Sequence, residues 1–226
     1  MRCAINLVTL VAMALVPGHA TSFVWWNVAQ YPEDLASTRD AWSAVRGEMP
    51  DQSYRLAADD FELAQPTRIT RIEFWSVEIG TPHILGGDWY IFTGGASGPP
   101  GTLLEAGPSQ PMQHQDSGIV NPSFGTVYSN VLAPDDLILP AGHYFLALRT
   151  YQLVDYSSPT KDTNAALTTR FQNGRSRGWW NFDVLADGSV TGPWVRMSQF
   201  NNADNEWCFR IDGEALGAIT RVHALR

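Results

Sequence analysis

Two adjacent aspartates, Asp59 and Asp60, form the most conspicuous acid pair in the chain. Paired carboxylates are the groups that glycosidases use, one on each side of the bond that is cut. The surrounding residues alternate between apolar and polar, which predicts a strand, and neighbouring side chains on a strand point to opposite faces. We therefore expect one aspartate to face solvent and the other to tie down a turn, without a shared catalytic role.

A second group of oxygen-bearing side chains lies between Asn201 and Glu206. Such oxygens are the ligands that calcium prefers, which makes Asn201, Asp204 and Glu206 a candidate calcium site. The spacing does not match a known calcium loop, and Asn and Asp also favour turns for local reasons. An ordinary polar hairpin turn is the preferred interpretation, so no cofactor is expected.

Paired tryptophans follow a glycine- and arginine-containing loop, an arrangement that suits a ligand-contact surface. Trp179 and Trp180 come directly after the segment that holds Arg175 and Arg177. Indole rings stack on the apolar faces of sugars, and arginines beside them reach hydroxyl or carboxylate groups. Because side chains alternate along a strand, we expect at most one ring of the pair to be exposed. The alternative is that both rings belong to the core.

The other tryptophans give the same choice between core and surface. The chain has nine of them in 226 residues. Trp75, Trp89 and Trp207 fall inside strand-like runs and are predicted to pack in a β-rich core. Trp25 and Trp26 form a second pair, of which at most one ring is expected at a contact surface.

The remaining reactive side chains do not suggest a catalytic centre. The histidines at positions 83, 114, 143 and 223 are not spaced as a helix-borne metal pair. Asp116-Ser117-Gly118 matches a serine-protease nucleophile in three letters only, without the glycines and prolines that shape such a site. Cys208 lies in a strand-like run, so we expect a buried thiol rather than a nucleophile.

The first twenty residues match a secretory signal peptide. Arg2 gives a positive start, an apolar run follows, and small residues precede a predicted cut after Ala20. The run is shorter than the roughly 20 residues that a bilayer span needs, so no membrane span is expected. The chain is predicted to be secreted, with residues 1–20 as the signal peptide and 21–226 as one domain.

The charge balance limits the partners of the mature chain. The whole sequence has 23 acidic and 15 basic residues, and removing Arg2 with the signal peptide leaves a net charge of 14 − 23 = −9. A negative surface is a poor match for nucleic acid and for anionic membranes, so neither is expected as a partner.

Short apolar runs separated by Gly and Pro predict nine or ten β-strands. Between Ile72 and Ile79 the apolar residues switch faces, which indicates a bulge or a strand covered on both sides. Near the start, apolar residues recur at helical spacing in Glu33–Arg46 and predict a short amphipathic helix. These elements favour a single jelly-roll-like β-sandwich with one N-terminal helix.

Five motifs between Tyr54 and Gly213 point to one family. They are ADDF at 58–61, ITRIEFW at 69–75, GPPGTL at 98–103, LPAGHY at 139–144 and WCFRIDG at 207–213. As a set they resemble secreted bacterial β-sandwich proteins that often carry a C-terminal sorting anchor of the PEP-CTERM type. This chain ends without the anchor helix, so release is expected rather than surface retention. The resemblance implies no established activity and no catalytic residues.

The preferred functional interpretation is an exported, non-catalytic β-sandwich that binds an extracellular glycan, matrix polymer or envelope partner. A hydrolase or lyase acting on polysaccharide is the first alternative, because the same fold carries both activities. A purely structural surface or matrix protein is the second. A cleft with converging carboxylates would favour the enzyme, and a flat aromatic face would favour binding.

Overall fold

The computed structural model describes residues 22–26, 41–42, 45–47, 54–80, 83–95, 98–153, 163–169, 178–184, 189–196, 198–201 and 206–216. Within these residues there are sixteen strands and one short helix, α1 (Ser198–Asn201). The strands are β1 (Ser22–Trp26), β2 (Ala41–Trp42), β3 (Val45–Gly47), β4 (Tyr54–Leu63), β5 (Thr67–Ile79), β6 (His83–Thr93), β7 (Leu103–Gln110), β8 (Met112–Asn121), β9 (Gly125–Leu132), β10 (Ile138–Leu139), β11 (Gly142–Leu153), β12 (Thr163–Thr169), β13 (Trp179–Val184), β14 (Val195–Arg196), β15 (Glu206–Trp207) and β16 (Phe209–Ala215).

The strands form two sheets, which confirms the predicted all-β, sandwich-like class. The first sheet has nine strands, with β5 at its centre between β16, β9, β10 and β12, and β8 follows β9. The second sheet runs β14-β13-β4-β11-β6-β7, with β3 beside β11. The pairs are antiparallel except for the short parallel contact between β3 and β11.

The main core joins inward-facing residues of the two sheets. Ile72 and Phe74 of the first sheet belong to the same apolar cluster as Phe61, Trp89 and Leu146 of the second. Burying such large side chains stabilises the fold by about 1.5–3 kcal/mol for each one removed from water. This cluster fixes the sheets face to face.

Strand β5 is covered on both sides, as its sequence pattern predicts. Ile72 and Phe74 contribute to the main core, while Trp75 and Val77 contact Val127 and Cys208 on the opposite face. The register with β16 shifts between Asp212 and Gly213, where Thr70 is the extra residue, but the pairing of Ile72–Val77 with β9 is regular. Of the two alternatives predicted for this stretch, the doubly covered strand is therefore the one observed. The thiol of Cys208 is buried, as expected.

The outer face of the second sheet carries a third apolar cluster. Phe92 and Phe145 lie there, and Trp194 packs edge-on against Phe92 with the ring centroids 5.4 Å apart. Both faces of this sheet are therefore covered along its central strands. Because of this coverage, side chains of this sheet that the sequence placed at the surface are buried.

The helix predicted for Glu33–Arg46 is wrong in its C-terminal part. Ala41–Trp42 is strand β2 and pairs with β12, and Val45–Gly47 is strand β3 and pairs with β11. Pairing with distant strands overrides the local helical spacing here, since tertiary context routinely outweighs propensity. Residues 33–40 lie outside the described residues. None of the helices in the described part of the chain has the length and apolar character needed to cross a bilayer.

Candidate functional site

Trp179 and Trp180 lie in the interior of the second sheet. Strand β13 pairs with β4 on one side and β14 on the other. The rings point to opposite faces, as predicted, but their exposed fractions are 6% and 2%. Trp180 stacks on Trp207 in the main core, with the ring centroids 5.4 Å apart. Neither ring is exposed, because both faces of this sheet are covered, so the structure agrees with the alternative that both rings belong to the core rather than to a contact surface.

The other described tryptophans follow the same trend. Trp75, Trp89 and Trp207 are buried, which confirms the prediction that they pack in a β-rich core. Trp25 is half-buried against the main core. The exposed large apolar side chains in the described residues are all aliphatic, namely Leu85, Leu104, Val120 and Ile138. An aromatic stacking face therefore has no support from this part of the chain, and Arg175 and Arg177 lie outside it.

The predicted calcium ligands are only partly described. Asn201 ends α1 and Glu206 begins β15, while Asp204 lies outside the described residues. Among the residues that are described, no three histidine, cysteine or carboxylate side chains are grouped so as to hold a metal ion. Calcium binding at the 201–206 segment stays an untested alternative.

The Asp59–Asp60 pair is buried rather than half-exposed. The two carboxylates point to opposite faces of β4, so they do not share a substrate. Asp59 Oδ2 accepts the backbone N–H of Trp207 at 2.7 Å, and Asp60 Oδ2 lies 2.7 Å from His143 Nε2. Neither carboxylate is exposed, since β4 lies between β13 and β11 in a sheet covered on both faces. The expectation of a solvent-facing aspartate is therefore wrong, and both groups are committed to holding the fold.

A buried charge network lies on the outer face of the second sheet. Arg149 Nε donates to Asp88 Oδ2 at 2.6 Å, and Arg149 Nη2 donates to the Tyr90 hydroxyl at 2.6 Å. Asp88 Oδ1 accepts the backbone N–H of Ser109, which ties β6 to β7. Burial raises the pKa of Tyr90 far above its ordinary value, and this effect outweighs the Arg149 charge that lowers it. Breaking a buried ion pair of this kind strongly destabilises the fold.

His114 connects three strands of the first sheet. Its Nδ1 lies 2.7 Å from Asn130 Oδ1, and its Nε2 lies 2.9 Å from Glu78 Oε1. Asn130 donates through Nδ2 to Ser76 Oγ, which fixes its oxygen toward the histidine. Both ring nitrogens of His114 therefore lie within hydrogen-bond distance of side-chain oxygens. Since each nitrogen is already bonded, this histidine is placed to hold strands together rather than to move a proton for a substrate.

An open cleft lies where the edge strand β7 faces the segment that leads into β10. Its volume is about 250 Å³. The polar lining consists of Glu105, Gln110, Asp135 and Asp136. Trp89, Gly107, Leu137 and Ile138 supply the rest of the side-chain and backbone surface, together with Ala106. The lining of the cleft therefore combines acidic and amide side chains with the apolar side chains of Trp89, Leu137 and Ile138.

Each wall of the cleft is held by a specific backbone arrangement. On the β10 side, the carbonyl of Leu137 accepts the N–H of Ile69 at 2.8 Å, and Asp136 takes a left-handed φ of 51° that turns the chain. On the β7 side, Ser109 has a φ of 54° and donates its N–H to Asp88. Aspartate tolerates this region better than most residues. These turns present Asp135, Asp136 and Gln110 on the same opening.

The carboxylates of the cleft differ from those of the buried networks. Glu105, Asp135 and Asp136 are exposed. Within the described residues they have no ion-pair partner, whereas the buried Asp88 is paired with Arg149. The sequence did not reveal this group, because Glu105 and the two aspartates are far apart in the chain. The fold brings them to one cleft, with Glu105 on β7 of the second sheet and the two aspartates just before β10, which pairs with β5 in the first sheet.

Comparison with models of protein families finds no match. Comparison with curated proteins also finds none.

Proposed function

We propose that this chain is an exported β-sandwich protein that binds a neutral extracellular glycan in the cleft between β7 and β10. The observation that carries the proposal is the cleft itself, which combines three carboxylates without described ion-pair partners, one amide and the apolar side chains of Trp89, Leu137 and Ile138. Binding sites for small ligands are typically concave and apolar, with a few polar groups that fix orientation. This cleft is concave and carries such polar groups, with Trp89 and Leu137 among its apolar lining.

The chemistry of the cleft favours hydroxyl groups. Ionised carboxylates accept hydrogen bonds only, and sugar hydroxyls donate to them. The C–H faces of a sugar ring are apolar and suit contact with Leu137 and Ile138. A volume of about 250 Å³ accommodates a short stretch of a polymer rather than a whole chain.

Electrostatics select against anionic polymers. The three cleft carboxylates carry the same sign as the excess charge of the mature chain, 14 − 23 = −9. Fields of one sign lower the local concentration of ligands of the same sign. The proposal therefore excludes uronic-acid and sulfated polymers as ligands of this cleft.

Polysaccharide retention tests the proposal most simply. Purified mature chain is passed over insoluble neutral polymers, such as cellulose, chitin and starch, and over a uronic-acid polymer. Retention on at least one neutral polymer and none on the acidic one is expected. Glu105→Gln removes one cleft acceptor and should weaken retention. Asp116→Asn removes the same charge from an exposed site outside the cleft, and should not.

A second candidate function is hydrolysis or cleavage of the bound glycan. It is favoured by the grouping of Glu105 with Asp135 and Asp136, since carboxylates on either side of a bond are what such enzymes need. Release of new reducing ends from the retained polymer would select this candidate. Retention without such release selects simple binding.

Export and a jelly-roll connectivity of the sheets belong to the same proposal. Export is supported by the charged start, the apolar run and the small residues before Ala20. Mass spectrometry of the protein from its native host should find a mature chain that begins at Thr21. A mature chain that begins at Met1 would contradict export, and with it the extracellular ligand.

A further inference from the structure

Trp89 brings a buried hydrogen-bond donor to the cleft. The residue is 6% exposed and lines the cleft. Its indole Nε1 has no hydrogen-bond partner among the described residues. Buried donors without a partner are destabilising, and native proteins contain few of them. A donor in this state is a group for which a ligand oxygen would be favourable.

Gly107 is what lets the indole reach the cleft. Trp89 and Gly107 are opposite each other in the register of β6 and β7. A Cβ added at Gly107 would lie 2.2 Å from Trp89 Nε1 and 2.3 Å from Cε2. The edge of the indole ring that carries Nε1 therefore lies directly against the glycine, and both residues line the cleft. Any other residue at position 107 would occupy that space.

We propose that the indole N–H of Trp89 donates to an oxygen of the bound glycan, with Gly107 as the residue that gives the oxygen access. The inference rests on the proposed function and adds a specificity rule to it. The carboxylates need a ligand that donates, and the indole needs one that accepts. A polyamine only donates and leaves the indole unsatisfied, and an anion is repelled by the acids. A hydroxyl group does both, so the cleft selects neutral polyols over cations.

Strand β7 is suited to a small adjustment that opens the path to Nε1. It is the last strand of the second sheet in the described chain and pairs there with β6 alone. Its register is interrupted beside Trp89, between Gly87 and Trp89, and again between Ile91 and Phe92. Fewer regular ladder bonds hold an edge strand at such irregularities. The indole nitrogen is nearly shielded from solvent, so binding should both shift β7 and change the environment of the indole proton.

The test is nuclear magnetic resonance of the intact mature chain labelled with ¹⁵N. The Trp89 indole signal is assigned through its nuclear Overhauser contact with the Hα protons of Gly107, which needs no variant. The probes are cellohexaose, maltohexaose and chitohexaose, with spermidine as the cationic probe. We expect a neutral hexamer to move the backbone signals of Glu105, Gln110 and Asp135, and to move the Trp89 indole proton downfield. Spermidine should leave the indole signal in place.

Two outcomes separate this inference from the proposed function. If a hexamer moves the cleft backbone signals but not the Trp89 indole, the inference is overturned while glycan binding stands. If no hexamer moves any cleft signal, the proposed function fails and the inference fails with it. A response of the indole to spermidine equal to that with a hexamer would overturn the specificity rule.

A matched pair of glycine variants gives an independent measurement. Gly107→Ala should weaken binding of the responding hexamer by about tenfold, which corresponds to loss of one good hydrogen bond. Gly95→Ala adds the same methyl group at a glycine with open space around it, and should bind as the wild type does. Equal affinity of a folded Gly107→Ala variant and wild type would overturn the role of Gly107.

Discussion

The buried carboxylates and the cleft carboxylates of this chain belong to two different environments. Asp59, Asp60 and Asp88 have no exposed surface, and each accepts a hydrogen bond from a defined donor. Glu105 and Asp135 are exposed at the cleft and have no described ion-pair partner. The first group is surrounded by sheet on both sides, and the second lies on an edge strand and a turn.

Burial therefore sorts the acids of an acidic protein into structural and available groups. A buried charge persists only when it is paired and hydrogen-bonded, because removing it from water is costly. Its lone pairs are then committed and are not open to a ligand. An exposed carboxylate has little effect on stability, so it is the kind that a protein can direct at a partner.

The largest effect is expected at Asp88. Asp88→Asn leaves the buried Arg149 charge without a counter-ion, which should lower the free energy of unfolding by about 3–5 kcal/mol. Urea unfolding followed by circular dichroism measures it. Asp116→Asn neutralises an exposed aspartate and should stay within about 0.5 kcal/mol of the wild type. Equal stability of the two variants would show that the Asp88–Arg149 pair is accessible to water.

Alkaline pH should separate the same two environments. Burial raises the pKa of Tyr90, whose ordinary value is 10.0, and also raises that of Tyr144. A tyrosine whose pKa is raised in the folded state contributes to the free energy of unfolding. This contribution is fully present below about pH 10, where unfolded tyrosines begin to ionise. It is lost as the pH rises from there toward the folded-state pKa. Phenolate absorbance should therefore appear together with loss of structure.

Replacing Tyr90 with Phe provides the control for the alkaline limb. Tyr90→Phe removes one raised pKa, so stability should fall less steeply above pH 10. If phenolate absorbance showed Tyr90 ionising near pH 10 while the chain is still folded, that result would contradict the burial of the network.

A smaller effect is expected at Cys208. The thiol is 1% exposed and lies among Trp75, Val77 and Val127. Cys208→Ala removes one small apolar group, which should cost about 1 kcal/mol. Glycan retention should be unchanged, since the thiol is on the far face of the first sheet. Loss of retention in a folded Cys208→Ala chain would assign the thiol a role that its burial argues against.

Patterns of apolar residues within a segment correctly predicted features that depend on neighbouring residues in the chain. The switch of apolar faces between Ile72 and Val77 predicted a doubly covered strand, and the strand-like setting of Cys208 predicted its burial. The helix at Glu33–Arg46 was wrong at its end because Trp42 pairs with a strand more than a hundred residues later. Spacing within a segment carries no information about such a partner.

The candidate site could not be predicted from the sequence for the same reason. Trp179 and Trp180 follow a polar loop, which suggested a surface, but their strand is interior to its sheet. Glu105 and Asp135 look like unrelated surface acids in the sequence, and they meet at one cleft only because β7 and β10, from different sheets, both line it. The unpartnered nitrogen of Trp89 is visible only once its register with Gly107 is known.

The smallest effect on stability is expected when the cleft acids are replaced. Their replacement also tests most directly whether these acids bind the glycan. The measurement is calorimetric titration of the hexamer from the retained polymer into wild type and into a Glu105→Gln, Asp135→Asn, Asp136→Asn variant. Asparagine keeps the left-handed turn at position 136. The melting temperature should be unchanged and the affinity should fall at least about tenfold, the equivalent of one lost charge-assisted hydrogen bond. Undiminished affinity in a variant of unchanged melting temperature would contradict the central claim that these acids bind the glycan.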